Sequence, residues 1–212
     1  MDNFIIDTRG NTIQQPKSNC RDPYDHLGPE EWVQKQIEYG EKEENISGRG
    51  LLPYIQQLNG DLIGCEIGVC HGFTTKFLLQ NVSNISKIYC IDHYPSYVEW
   101  DGTRLTEERQ EETKRKCKER LQEYSSVEFV YQSSQDFVNN IPDNSLDFVF
   151  IDGEHSYEST IRDIENYWPK MKKGGLFSGH DINLSSVEKA VRDFFIDQKI
   201  EFVENNAWFL IK

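Results

Sequence analysis

The chain has 212 residues and a formal net charge of −13, from 23 Lys and Arg against 36 Asp and Glu. That length suits one large domain with a sizeable core, and a composition of 37% hydrophobic, 28% charged and 12% aromatic residues excludes a disordered chain. The acidic balance argues against nucleic acid as a partner, since that needs a basic surface, but not against a small anion held by local amides.

No apolar run approaches the roughly 18 residues that would span a membrane. The first residues, MDNFIIDTRGNTIQQ, lack a basic stretch followed by an apolar one, so no secretory signal is expected there. Five cysteines (Cys20, Cys65, Cys70, Cys90 and Cys117) form no Cys-x-x-Cys pair. Their odd number reads as free thiols in a reducing cytoplasm.

In chain order, residues 1–28 are polar and turn-rich and read as an irregular lead-in. Pro29 with Glu30 and Glu31 makes a good first helical turn, and that helix should stop at Gly40. A second helix is predicted over 50–58. From there strands and helices alternate: strand 62–67, helix 73–79, strand 87–91, a charged helix 104–124, strand 127–131 and a short helix 136–140. Strand 146–151 follows, nearly all apolar, as a strand buried on both faces should be. Helix 159–171 is expected to stop at Gly174-Gly175, before strand 176–178 and an amphipathic helix 185–198. Strands 199–203 and 207–211 flank a hairpin-like turn, Glu204-Asn205-Asn206. This rhythm predicts an α/β fold with a mostly parallel sheet covered on both faces and one antiparallel strand at the C-terminus. No internal repeat or linker marks a boundary, so residues 1–212 read as one domain. The basic run Lys114–Arg120 is expected to be a solvated helix face, because five glutamates share its helix.

In an open parallel sheet, ligands bind beyond the C-terminal strand ends. Four of the five histidines (His71, His93, His155 and His180) fall in those loops, together with Asp92, Asp152 and Asp181. Gly68 and Gly72, after the first strand, would let the backbone turn sharply against a ligand. Their spacing, Glu66-x-Gly68-x-x-x-Gly72, is not the G-x-G-x-x-G of nicotinamide binding. Asp92, after the second strand, can accept both hydroxyls of a ribose.

These residues resemble the class I S-adenosylmethionine-dependent methyltransferases, and within them the small-molecule O-methyltransferases that include the catechol and macrolide-sugar enzymes. The resemblance covers roughly residues 50–212 and implies a Rossmann-like, doubly wound sheet of seven strands. Glu66, Gly68 and Gly72 match the first cofactor motif, and Asp92, with His93 beside it, matches the ribose-binding acid. Ser134-Gln135 matches the adenine-side loop. The stretch Phe150–Glu158 (FIDGEHSYE) is the most specific match, and Gly174-Gly175 with Gly179-His180-Asp181 matches the end of the fifth strand. In that family the acid after the fourth strand and a pair after the fifth hold a divalent metal, which places Asp152, His180 and Asp181 as ligands. Asp152 also borders the cofactor. The pair is commonly Asp-Asp or Asp-Asn, and here its first member is His180. Magnesium prefers oxygen ligands, whereas imidazole suits manganese and softer metals, so either the metal is softer, or His180 acts as a general base and metal binding weakens, or no metal binds.

The resemblance implies methyl transfer to a small-molecule hydroxyl such as that of a sugar or natural product. A metal at Asp152 and Asp181 would lower the hydroxyl's pKa, with His180 or His155 taking the proton. Residues 1–50 and the loop 94–103, with Tyr94, Tyr97 and Trp100, are expected to cap the site over the 51–212 core, while Trp32, Tyr39 and Tyr54 either line it or pack the fold. A metal-independent N- or carboxyl-methyltransferase, a nicotinamide oxidoreductase and a non-enzymatic cofactor-binding module are the competing readings. A homodimer is compatible with the sequence, but no apolar stripe specifies one.

Overall fold

The computed structural model describes residues 4–6, 12–14, 24–98 and 102–212. Seven strands form one sheet: β1 (Leu62–Ile67), β2 (Ile85–Ile91), β3 (Val127–Val130), β4 (Leu146–Ile151), β5 (Met171–Gly179), β6 (Glu201–Val203) and β7 (Ala207–Ile211). Their order is β3-β2-β1-β4-β5-β7-β6. All neighbouring pairs from β3 to β5 are parallel, and β7 runs antiparallel to both β5 and β6. This is a Rossmann-like, doubly wound seven-stranded sheet, as expected. From β1 the chain winds outward through β2 and β3, then returns to β4 on the other side. The order therefore reverses between β1 and β4, and a crevice opens at their C-terminal ends.

The alternating side chains of the strands feed two cores. On one face Leu62, Ile88, Phe148, Phe150 and Phe209 pack with Leu51 and Ile55, with Leu78 of helix α3 (Phe73–Asn81) and with Cys117 and Leu121 of helix α4 (Glu107–Leu121). On the other, Cys65, Ile67, Val149, Phe177 and Trp208 pack with Ile164 and Tyr167 of helix α6 (Tyr157–Tyr167) and Val187 and Val191 of helix α7 (Ser185–Phe194). Helix α1 (Pro29–Gly40) buries Trp32, Val33 and Ile37 against Phe73 and Leu105. Helix α2 is a single turn, Leu52–Ile55, preceded by a tight turn at Arg49–Leu51 rather than a helix over 50–58.

Capping residues and a proline explain several of the other differences from the sequence expectations, and strand pairing explains others. Within the lead-in, Phe4–Ile6 pairs antiparallel with Thr12–Gln14, so these residues form a two-stranded hairpin. The charged helix starts at Glu107, because the Thr106 hydroxyl caps it by accepting the Arg109 N–H at 3.3 Å. Arg104–Leu105 pairs with Tyr97–Val98 instead. Helix α6 starts two residues early, capped by Ser156. It ends at Tyr167 because Pro169 cannot continue it. The chain then enters β5 at Met171, well before residue 176. A bulge absorbs the extra residues, shifting the register from Leu146↔Met171 to Phe148↔Leu176. Ser133 caps a short helix α5 (Ser134–Phe137), and a tight turn covers Val138–Asn140, so this element starts two residues before the expected 136. Cys65, Cys70, Cys90 and Cys117 are free thiols, while Cys20 and Trp100 lie outside the described residues. The basic run is ion-paired along its own helix, with Arg115 to Glu112 and Glu119, and Lys114 to Glu111. Among the described residues no helix is long and apolar enough to cross a membrane.

Candidate functional site

Parallel register sets four residues in one row. Each residue that follows a strand donates its N–H to the last residue of the neighbouring strand: Asp92 to Val130 (3.0 Å), Gly68 to Ile91 (2.9 Å), Asp152 to Ile67 (2.8 Å) and His180 to Ile151 (3.0 Å). Gly68, Asp92, Asp152 and His180 therefore line one edge of the sheet, across the point where the strand order reverses.

Gly68 has φ +82, and a Cβ there would stand 2.1 Å from the carbonyl oxygen of Asp152. Only glycine lets the loop lie this close to the end of β4. Gly72 begins α3 in the same left-handed region. Between them, the Cys70 N–H donates to Asp92 Oδ2 at 2.9 Å, and the Tyr94 N–H to Oδ1 at 2.8 Å. Asp92 thus ties the glycine loop to its own strand end. Burial raises its pKa.

Glu66 is buried at the end of β1 and accepts a short hydrogen bond from the Thr75 hydroxyl of α3. Burial pushes its carboxyl up to about 8, against that hydrogen bond, from an ordinary 4.5. A raised folded pKa gives stability that is fully present below the unfolded value and lost as pH rises through the folded one. Each unit is worth about 1.4 kcal/mol, so the fall in urea-unfolding free energy between pH 5 and pH 9 should shrink by about 2–4 kcal/mol in Glu66→Gln. An unchanged fall would mean that Glu66 is already ionised in the fold.

The four loop histidines separate. His71 is buried with its ring centroid 5.9 Å from that of Phe73, and burial, with Arg120 nearby, lowers its pKa to about 4. His93 is exposed beside Asp92. His155 and His180 do meet, around two carboxylates. His155 Nε2 lies 2.8 Å from Asp181 Oδ2 and 4.0 Å from Asp152 Oδ1. His180 Nδ1 lies 3.1 Å from Asp181 Oδ2 and 3.4 Å from Asp152 Oδ1. Asp181 reaches this position through a left-handed backbone (φ 56), which aspartate tolerates better than most residues. Burial lowers the His180 pKa, but the hydrogen bonds and charges of Asp152 and Asp181 outweigh it and raise the value to about 10. The two carboxylates thus favour the protonated form of His180, which opposes the proton-accepting role that the resemblance implies for it.

Asp152, His155 and Asp181 each offer one donor atom, all within 4.8 Å of one another. Two carboxylates and the His155 imidazole fit a divalent ion of the manganese, iron or zinc type better than magnesium. His180, expected as a ligand, is not one of that group of three, although its Nδ1 lies near both carboxylates. His155 was expected as a proton acceptor. Its closeness to Asp181 comes from the loop after β4 folding over the end of β5, for which the sequence carries no signal.

At the opposite end of the row, Ser134 begins α5 and Gln135 is half-buried beside it. Of the aromatic residues, Tyr94 is buried and its hydroxyl donates to the Cys70 carbonyl at 2.9 Å, so it fastens the glycine loop. Trp32 is buried under the Arg109 guanidinium, and Tyr54 packs on Phe209. Tyr97 is half-buried in its short strand, and Tyr39 is exposed.

A family model described as a methyltransferase domain matches residues 65–182. No curated protein sequence matches. The solved O-methyltransferase NovP superposes with a TM-score of 0.57 at 18% identity, covering 87% of this chain and 99% of that one. A SAM-dependent methyltransferase from Aquifex aeolicus gives 0.56 at 17%, covering 86% and 96%. A precorrin-6y C5,15-methyltransferase from Geobacter metallireducens GS-15 gives 0.54 at 17%, covering 75% and 84%. At these identities the structures share the fold.

Proposed function

Given that the chain belongs to the methyltransferase-domain family and is an S-adenosylmethionine-dependent methyltransferase, we propose that it methylates a hydroxyl oxygen of a small molecule, such as a sugar or natural product, with the help of a divalent metal. The observation that carries this is the convergence of Asp152, His155, His180 and Asp181 at the strand edge that also holds the glycine loop. The O-methyltransferase likeness of NovP is consistent with it.

In this reading Gly68 and Gly72 bring loop amides to the cofactor, Asp92 and His93 meet its ribose, and Ser134 and Gln135 meet its adenine. Glu66 braces the loop from below, and Asp152 borders the cofactor while turning its carboxylate to the metal. S-adenosylmethionine supplies an electrophilic methyl group on a sulfonium. A divalent ion held by Asp152, Asp181 and one of the two imidazoles would supply a lowered pKa for the acceptor hydroxyl. The protein's own work is to hold the acceptor in line with the methyl group and to take up the hydroxyl proton at His155 or His180. An imidazole that holds the ion has no free lone pair, so the other one accepts the proton. Helix α1, seated on Phe73 at the start of α3, supports residues 1–50 as a cap over the acceptor. A small-molecule hydroxyl is the partner proposed; nucleic acid and membrane are not. A cytoplasmic location and a homodimer complete the reading.

The alternative is a metal-independent N- or carboxyl-methyltransferase, in which the same imidazoles and carboxylates act as hydrogen-bonded pairs. Calorimetric titration of S-adenosylmethionine and S-adenosylhomocysteine, with and without Mn²⁺ or Mg²⁺, separates the readings. The expected result is cofactor binding that Asp92→Ala weakens and a separate metal heat that Asp152→Ala removes. Cofactor binding with no metal heat under any condition would favour the metal-independent enzyme.

A further inference from the structure

Helix α5 spans only Ser134–Phe137, too short to hold its own position. It is gripped from α6. The Ser134 hydroxyl donates a short hydrogen bond to Asp163 Oδ1, and the Tyr167 hydroxyl donates to the Ser134 carbonyl at 2.9 Å. Asp163 and Tyr167 are four residues apart, so they share one face of α6. Both are buried. The other oxygen of Asp163 faces the end of β4, 3.9 Å from where a Gly153 Cβ would stand. The carboxyl group therefore sits between two strand-end loops of the candidate site. It is a poor choice for stability: burial pushes it up to about 6, against the Ser134 hydrogen bond and the charge of Arg162. The fold thus disfavours the charged form at neutral pH.

We propose that Asp163 and Tyr167 are positioning residues of the cofactor site, which clamp Ser134 by its hydroxyl and its carbonyl and so hold Gln135 at the edge that receives the adenine ring. The proposal rests on the methyltransferase reading. It accounts for a carboxylate buried where an apolar side chain would serve the core better.

The test is calorimetric titration of S-adenosylhomocysteine into the full chain, the Asp163→Leu and Ser134→Ala variants and their double variant, with a thermal melt of each. Leucine has a similar shape and removes both the charge and the acceptor oxygens. The expected result is an affinity about tenfold weaker in each single variant and no further loss in the double, because both remove one shared contact. The melting temperature of Asp163→Leu should equal or exceed that of the unaltered protein. Tyr167→Phe, which keeps the packing, should weaken binding in the same direction. Unchanged affinity in Asp163→Leu, additive losses in the double variant, or a loss that only follows a falling melting temperature would overturn the clamp alone. Failure of the unaltered protein to bind S-adenosylhomocysteine would overturn the methyltransferase reading and the clamp with it.

Discussion

Replacing Asp181 by alanine is expected to lower methyl transfer by on the order of 10³-fold, the several kcal/mol that a bound metal supplies to the reacting oxygen. Cofactor affinity should stay nearly intact. The Asp181 carboxylate faces the two imidazoles, with Oδ2 at 2.8 Å from His155 and 3.1 Å from His180, and it stands one residue beyond the row that meets the glycine loop. Burial works against its charge, but the hydrogen bonds from His155 and His180 outweigh that and hold its pKa well below the usual carboxylate range. Alanine also loses aspartate's tolerance of the left-handed backbone at this position. Asp181→Asn is the cleaner partner, since asparagine keeps that tolerance and removes only the charge. Both variants should lose the heat of Mn²⁺ binding and keep that of S-adenosylhomocysteine. Equal loss of cofactor binding and transfer would refute the assigned role and make Asp181 a structural residue of the turn.

The largest stability effect is expected at Trp208. Its side chain is fully buried, with ring centroids 6.1 Å from Phe177 and 6.4 Å from Phe195. Its indole N–H donates to the His180 carbonyl at 3.2 Å. Trp208→Ala should cost about 3–5 kcal/mol, a large share of the roughly 5–15 kcal/mol that holds a typical domain together. Urea denaturation measures it directly, and a loss below about 1 kcal/mol would mean that the neighbouring rings collapse into the space. Trp208→Phe separates packing from hydrogen bonding. It refills much of the volume but strands the His180 carbonyl, at a cost of about 1–3 kcal/mol. The antiparallel strand β7 thus both closes the core and holds a site residue from behind.

Much of the architecture is legible in the amino-acid sequence. The bounds of β1, β4 and β7 follow from apolar runs between turn residues, and the start of α1 follows from Pro29 and the acids after it. The boundaries that fall elsewhere than expected are decided by single residues whose weight is easily missed, such as Thr106 as a cap and Pro169 as a stop. The β5 bulge has no such signal, because it answers to the register of β4.

The alternation of strands and helices, the glycine turn, the acids after the second, fourth and fifth strands and the resemblance that joins them are all readable along the chain. These are local properties, set by periodicity, capping and turn chemistry along the chain. Which of the loop residues meet is set by the folded chain. Four histidines are alike in sequence position, yet His71 turns into the core and His93 toward solvent, while His155 and His180 converge on Asp152 and Asp181. It also paired Asp163 of α6 with Ser134 of α5. The physical reason is that such meetings depend on strand order and parallel register, which bring distant segments to one edge of the sheet, and no short stretch of sequence encodes the distance between two of them.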